Sequence, residues 1–324
     1  MDVRVLIALV CALCFWASAF VGIRAALPAY GPTDLALLRF IVASLSLVPF
    51  AVVRKLRPPR LADVPAIFLH GFLGFFVYHV SLNYGERTVS AASACFMIGA
   101  IPVFSAMLSA IFLQERPGRQ TMLGIAVSMA GLLVIANAEG AGFSFNPDAW
   151  YVILAALASS LYYVGIKPRL RRGPWDDDPR RYDPLHYTAY TLWAGTLLLL
   201  VFAPGLPAAI AAAPAGATIS VIYLGVFPGA AAYLCWNYAL SRGEVGRVAS
   251  SQYLMPGIAM ALGWVWLREM PPALAIAGGI LALSGVVVVN TGALMRRARA
   301  GHAGKQARHV MRPKTDQRGA RSET

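Results

Sequence analysis

Residues 113–135 read LQERPGRQTMLGIAVSMAGLLVI, and residues 267–289 read LREMPPALAIAGGILALSGVVVV. At an offset of 154 residues, Glu115, Pro117, Gly124 and Gly131 fall on Glu269, Pro271, Gly278 and Gly285. Upstream, Asn83, Tyr84 and Pro102 fall on Asn237, Tyr238 and Pro256 without an insertion. The matches are on Asn, Pro, Gly and Glu, which are uncommon or position-sensitive inside apolar segments. A period of 154 in a chain of 324 residues means two halves.

The surroundings of the repeat are a membrane. The chain is 58% hydrophobic and 13% charged, with a mean hydropathy of +0.61, outside the range of soluble domains. About 20 apolar residues span a bilayer as a helix. Ten such runs are read at 4–23, 34–53, 64–84, 89–113, 120–137, 149–166, 184–203, 217–240, 246–267 and 273–295. Thr218 to Ser241 and Val248 to Leu267 carry no formal charge, and neither shows the polar face of a soluble helix. Arg4, the run to Trp16 and Ala17-Ser18-Ala19 have the outline of a signal peptide. A first membrane helix fits better, because Val21-Gly22-Ile23-Arg24 is echoed by Val164-Gly165-Ile166-Lys167.

Charge gives the orientation. With the N-terminus inside, every one of the 28 Lys and Arg residues except Arg24, Arg87, Arg268 and Arg39 falls in an inside segment. This is the positive-inside pattern, with both termini cytoplasmic. The net charge of +13 then needs no nucleic acid. The expected domains are a five-helix repeat at 1–140, a second at 149–295 and a basic, disordered tail at 296–324 drawn to anionic lipid.

Five helices per half is an odd number, so the second half is upside down relative to the first. Such inverted repeats are a transporter architecture. Pro102 and Pro256 near the middle of spans 4 and 9 leave the carbonyls of Ile98 and Gln252 without a helical donor. Unpaired backbone at that depth belongs at a cavity or under protein cover. Both prolines are therefore expected to break their helices, either at a central cavity or as a packing kink.

Trp16, Met97, Ser159, Ser251, Gln252 and Tyr253 fall near the same level. They would form a mostly apolar pocket with a few hydrogen-bonding groups, although packing explains each alone. Arg39 is the one formal charge well inside a span, about 9 Å deep by helix rise. It holds a substrate carboxylate, pairs with an acid or snorkels to the interface. His79 and Asn83 share a face, as do their repeat partners Tyr233 and Asn237. By depth the first pair lies toward the outside and the second toward the inside, as gates or as packing. His79 is also a candidate proton carrier.

The opening helix FWASAFVGIRAAL (15–27), PTDLALLRFIVASLSL (32–47) with its arginine, and the two segments quoted first resemble the EamA-type family of the drug/metabolite transporter superfamily. The resemblance covers residues 4–295. It implies an inner-membrane permease that works by alternating access and often exports amino acids or other metabolites. A multi-spanning enzyme acting on a lipid is the alternative, but acid, base and nucleophile groups do not gather at one face. No P-loop and no HExxH is present, and no catalytic group, cofactor or metal is expected. Cys11, Cys14, Cys95 and Cys235 all lie in apolar spans. Glu115 and Glu269 are expected to cap or pair at helix ends. The 167–183 loop is expected to be a solvated connector. The expected partners are the bilayer and a small-molecule substrate, with protons and a second copy of the chain left open.

Overall fold

The computed structural model describes residues 2–56, 58–89, 94, 97–115, 117–138, 148–171, 176–178, 180–258, 273–274 and 276–289. Cys95, Arg268, Glu269, Pro271 and the basic tail lie outside the described residues, as do the readings placed on them.

Among the described residues the protein is all-helical. Its one extended pairing is an isolated bridge between Leu170 and Tyr182. The helices are α1 (Val3–Ala26), α2 (Pro32–Val53) and α3 (Leu61–Gly85). Next come α4 (Ile101–Phe112), α5 (Arg119–Ala138), α6 (Ala149–Ile166) and α7 (Pro184–Ala212). The last are α8 (Ala215–Arg242), α9 (Val245–Ser250) and α10 (Ile276–Val289). Six of them, α1, α2, α3, α6, α7 and α8, are long and apolar enough to cross a membrane; α4, α5 and α10 are shorter and apolar. Large apolar side chains such as Leu45, Ile111, Trp150, Leu197 and Ile280 stand exposed on the outside. A lipid-facing surface is apolar in this way, whereas a soluble protein covers such patches.

Local chemistry sets the helix starts. The Asp2 side chain accepts from the backbone N–H of Arg4 at 3.1 Å, opening α1. Asp183 accepts from Leu185 N at 2.9 Å, and Pro184 takes the first turn of α7, where its missing N–H costs nothing.

Repeat-equivalent helices make equivalent contacts. Helix α1 lies on α8, and α6 lies on α3. At the first contact Gly22 faces Leu224; at the second Gly165 faces His70, and both fit because neither glycine carries a Cβ. Gly71 lies against the backbone of Thr191 and Gly195 in α7, while Gly225, one repeat later, lies against Arg39 and Val42 in α2. Both α3 and α8 widen into a π-turn at equivalent positions, Phe72–Val77 and Gly225–Ala231. In α8 the cause is visible: Pro228 has no N–H to give to the ladder.

Helices α5 and α10 meet at repeat-equivalent positions. Ser128 donates to the carbonyl of Ala282, its own repeat position, at 2.9 Å. A Cβ on Gly124 would come within 2.5 Å of the Gly285 carbonyl, and one on Gly278 within 2.8 Å of the Gly131 carbonyl. Without a hydrophobic force between helices in lipid, close backbone packing of small residues holds such a pair.

The 167–183 segment is more than a solvated connector. Leu170 and Tyr182 pair, with Tyr182 N donating to Arg169 O at 2.7 Å and Arg171 N to Tyr182 O at 2.8 Å. Asp63, at the start of α3, accepts from Arg60 at 2.9 Å, from Tyr182 at 2.6 Å and from Arg169. The connector is thereby tied to the first half. Within it Arg181 pairs with Asp176 at 2.8 Å. The Arg180 backbone N–H, then its guanidinium, hold the Asp178 carboxyl below the usual range.

Candidate functional site

The proline breaks sit where the two halves meet. Helix α4 begins only at Ile101, with Pro102 in its first turn and Gly99-Ala100 as a turn before it. After α9 the chain tightens into a 3-10 turn, Ser251–Leu254, and resumes as a helix at 255–258 around Pro256. The Gln252 carbonyl is not left unpaired as expected: Met255 N–H reaches it by an i+3 bond, which Pro256 could not make.

Between α1, α2, α3, α6, α8 and this turn lies a cavity of about 30 Å³, room for about two waters. Its apolar wall is Ala19, Phe20, Ile23, Leu82, Ile98 and Met255. Its polar or aromatic wall is Trp16, Arg39, Tyr78, His79, Tyr163, Tyr233 and Gln252.

Arg39 is 3% exposed, so it does not snorkel. The Glu86 carboxylate, just past the end of α3, acts on it electrostatically. Its Nη1 lies 3.5 Å from His79 Nδ1, and its buried Nε has no partner. Phe40 supplies a ring 5.6 Å from the guanidinium carbon. Burying one charge costs several kcal/mol after relaxation, and an imidazole contact returns little of that.

His79 continues the line. Its Nε2 lies 3.0 Å from Tyr233 Oη, and Tyr233 Oη lies 3.4 Å from the Gly74 carbonyl. Arginine only donates, so His79 Nδ1 accepts, Nε2–H donates to Tyr233, and Tyr233 donates to Gly74. The Gly74 carbonyl lies in the α3 π-turn. Its repeat counterpart, Pro228 O, accepts from Trp16 Nε1 at 3.2 Å. The widened turns thus hold two cavity side chains by their carbonyls.

The depth estimate for His79 and Tyr233 is corrected here. These repeat partners do not lie at opposite faces; they meet. A helical side chain leans toward its own N-terminus. Depth counted along a helix axis ignores that lean, so side chains assigned to different levels can meet. One turn on, the asparagines do diverge. Asn83 Nδ2 donates to Pro32 O at 2.8 Å, and Asn237 Nδ2 donates to Tyr162 Oη at 2.9 Å and Thr188 Oγ1 at 2.8 Å.

The chain was compared with known proteins. The model of the EamA-like transporter family matches residues 3–137 and again 147–291. The chain belongs to the EamA-like transporter family. A probable terminal-alkyne amino-acid exporter of Streptantibioticus cattleyicolor is 40% identical over 299 residues, covering 92% of this chain and 97% of the relative. The uncharacterized transporter YdfC of Bacillus subtilis is 40% identical over 272 residues, covering 84% of this chain and 86% of the relative. One crystal structure aligns with a TM-score of 0.72 at 21% identity, covering 92% of this chain and 99% of that one. At that identity it speaks for the fold alone. The protein is a membrane transporter.

Within this EamA-like transporter the cavity gathers Trp16, Arg39, His79, Tyr233 and Gln252. It does not gather the other expected contacts. Met97 packs half-buried on the main core. Ser251 Oγ is spent on Val248 O at 2.6 Å. Ser159 is buried in α6 and shares a hydrogen bond with Tyr163. Tyr253 packs into a separate cluster with Ala106, Ile125 and Val286. The 3-10 turn explains the last case, because it turns Gln252 and its neighbours to different sides. Sequence reading missed Tyr78 and Tyr163. Tyr163 follows Ser159 by four residues on the same face of α6, and that spacing was the available signal.

Proposed function

We propose that this chain is a secondary transporter for small carboxylate-bearing metabolites, amino acids foremost, working by alternating access in the cell membrane. The observation that carries the substrate class is Arg39: a buried guanidinium on the cavity wall with an unpartnered Nε. A substrate carboxylate completes such a site with charge-assisted hydrogen bonds, and intramembrane charges mark substrate pathways. Trp16 and Gln252 contact the same substrate, and the aromatic wall takes its apolar part. The amino-acid class and the outward direction draw further support from the exporter that is 40% identical.

Ten spans carry this function, one for each of the ten apolar runs of the sequence. Both termini are cytoplasmic, in keeping with the one-sided distribution of Lys and Arg. The 1–140 and 149–295 halves rock about the axis on which Ser128 and Ala282 meet. The cavity of about 30 Å³ is far below the 300 Å³ or more of an ordinary ligand pocket. Substrate entry therefore needs the halves to part, and the His79–Tyr233 bridge between α3 and α8 breaks as they do.

The test is thermal unfolding of the purified protein with millimolar amino acids and simple carboxylic acids. A ligand at a hundred times its Kd stabilises by about 2.7 kcal/mol. The expected result is a shift with amino acids that Arg39→Gln abolishes. An undiminished shift in Arg39→Gln removes the carboxylate assignment.

A further inference from the structure

We propose that Gln252 is the specificity-determining residue that tells an α-amino acid from the plain carboxylic acid of the same chain. This rests on the reading that Arg39 holds the carboxylate. The Gln252 amide is fixed at one end: Nε2 donates to Tyr163 Oη at 3.0 Å. Tyr163 is itself 3% exposed and packed against Trp236 with ring centroids 5.0 Å apart. That leaves Gln252 Oε1, buried and without a partner, as an acceptor on the wall that also carries Arg39.

Arg39, Trp16 and His79 on the same wall offer no free acceptor. Arg39 only donates. Trp16 Nε1 is used on Pro228 O, and both nitrogens of His79 are used on Arg39 and Tyr233. A substrate ammonium has three N–H donors and needs an acceptor. Gln252 Oε1 provides one, and the ring faces of Trp16 and Tyr163 add cation–π attraction. A neutral amide suits this place better than a carboxylate. A buried Asp or Glu on the same wall would pair with Arg39 and quench the site that takes the substrate.

The backbone explains why this residue faces the cavity. In a 3-10 turn side chains three apart eclipse. Gln252 and Met255 are three apart, Met255 N–H bonds Gln252 O, and both line the cavity. Pro256, which lacks the N–H for the ordinary bond, favours the tighter turn.

The experiment is equilibrium binding to the purified full-length protein of two matched pairs, leucine with 4-methylpentanoate and alanine with propionate. The wild type should favour the amino acid in each pair. Gln252→Met, which keeps the volume, should weaken amino-acid binding about ten- to hundredfold, the worth of one hydrogen bond to a charged group. The plain acids should stay within about threefold. Tyr163→Phe, which frees the amide to turn, should erode the preference in part. Arg39→Gln should weaken all four ligands. Equal binding of both members of a pair by the wild type, or equal weakening of both by Gln252→Met, overturns the role of Gln252. Loss of the acids alone would mean that the amide presents Nε2 to the substrate, and it also overturns the proposal. If Arg39→Gln binds all four as before while Gln252→Met loses the preference, the Arg39 reading fails by itself.

Discussion

Arg39, His79 and Tyr233 form a line in which each group satisfies the next, and they should respond to mutation as a unit. Tyr233→Phe removes one hydroxyl from a buried pair and should cost about 1 kcal/mol. His79→Ala takes from the Arg39 guanidinium the acceptor at His79 Nδ1, and should cost about 1–3 kcal/mol. Because they share a partner, the double variant should fall short of the sum by about 0.5–3 kcal/mol. Thermal unfolding of the two single variants and the double checks this; strict additivity would mean that the 3.0 Å contact carries no energy. Arg39 stood out in the sequence as a charge inside an apolar run. Its partners did not, because residue depth along a helix axis ignores where the side chain leans. Only the fold shows that His79 comes to meet Arg39.

At the scale of elements, the apolar runs read directly as helices, and the repeated glycines mark where two helices touch. Gly131→Leu forces a side chain into the α10 backbone and should destabilise by about 1–3 kcal/mol. Gly216→Leu, where a Cβ meets nothing within 4 Å, should be near neutral. Comparing the two by thermal unfolding separates interhelical contact from a general intolerance of leucine. Glu115 was legible as a helix-end group but not in its target. Its Oε2 accepts from Val245 N at 2.9 Å, capping α9 from the other half, since Glu244 makes no side-chain cap there. Gln114, in the left-handed region at φ 57°, turns the chain so that Glu115 reaches back. Glu115→Ala should cost about 0.5–2 kcal/mol, as lost caps do. The π-turns escaped the sequence for a different reason. Pro228 hints at one, but the equivalent Gly74 breaks no pattern, and a π-turn keeps the apolar character of the run around it.

For the whole molecule, the apolar runs and the repeat made an all-helical membrane transporter legible in the sequence, and the family model matches it twice. The size of the closed cavity and the binding of the 167–183 connector to Asp63 were not legible there, because both depend on contacts between distant segments. The proposed topology predicts that Gly216→Cys is labelled by an impermeant thiol reagent from outside the cell, and that Lys55→Cys is labelled only after the membrane is opened. The reverse pattern would invert the orientation. The central claim is that this chain carries a small amino acid across a bilayer without ATP, holding its carboxylate on Arg39. Counterflow tests it most directly: purified protein in lipid vesicles loaded with unlabelled leucine, then diluted into trace radiolabelled leucine with no nucleotide present. The expected result is transient accumulation of label that vanishes in Arg39→Gln; accumulation that is equal in Arg39→Gln, or absent for leucine and every other amino acid tried in the wild type, would show that Arg39 does not hold the substrate or that the chain does not carry amino acids.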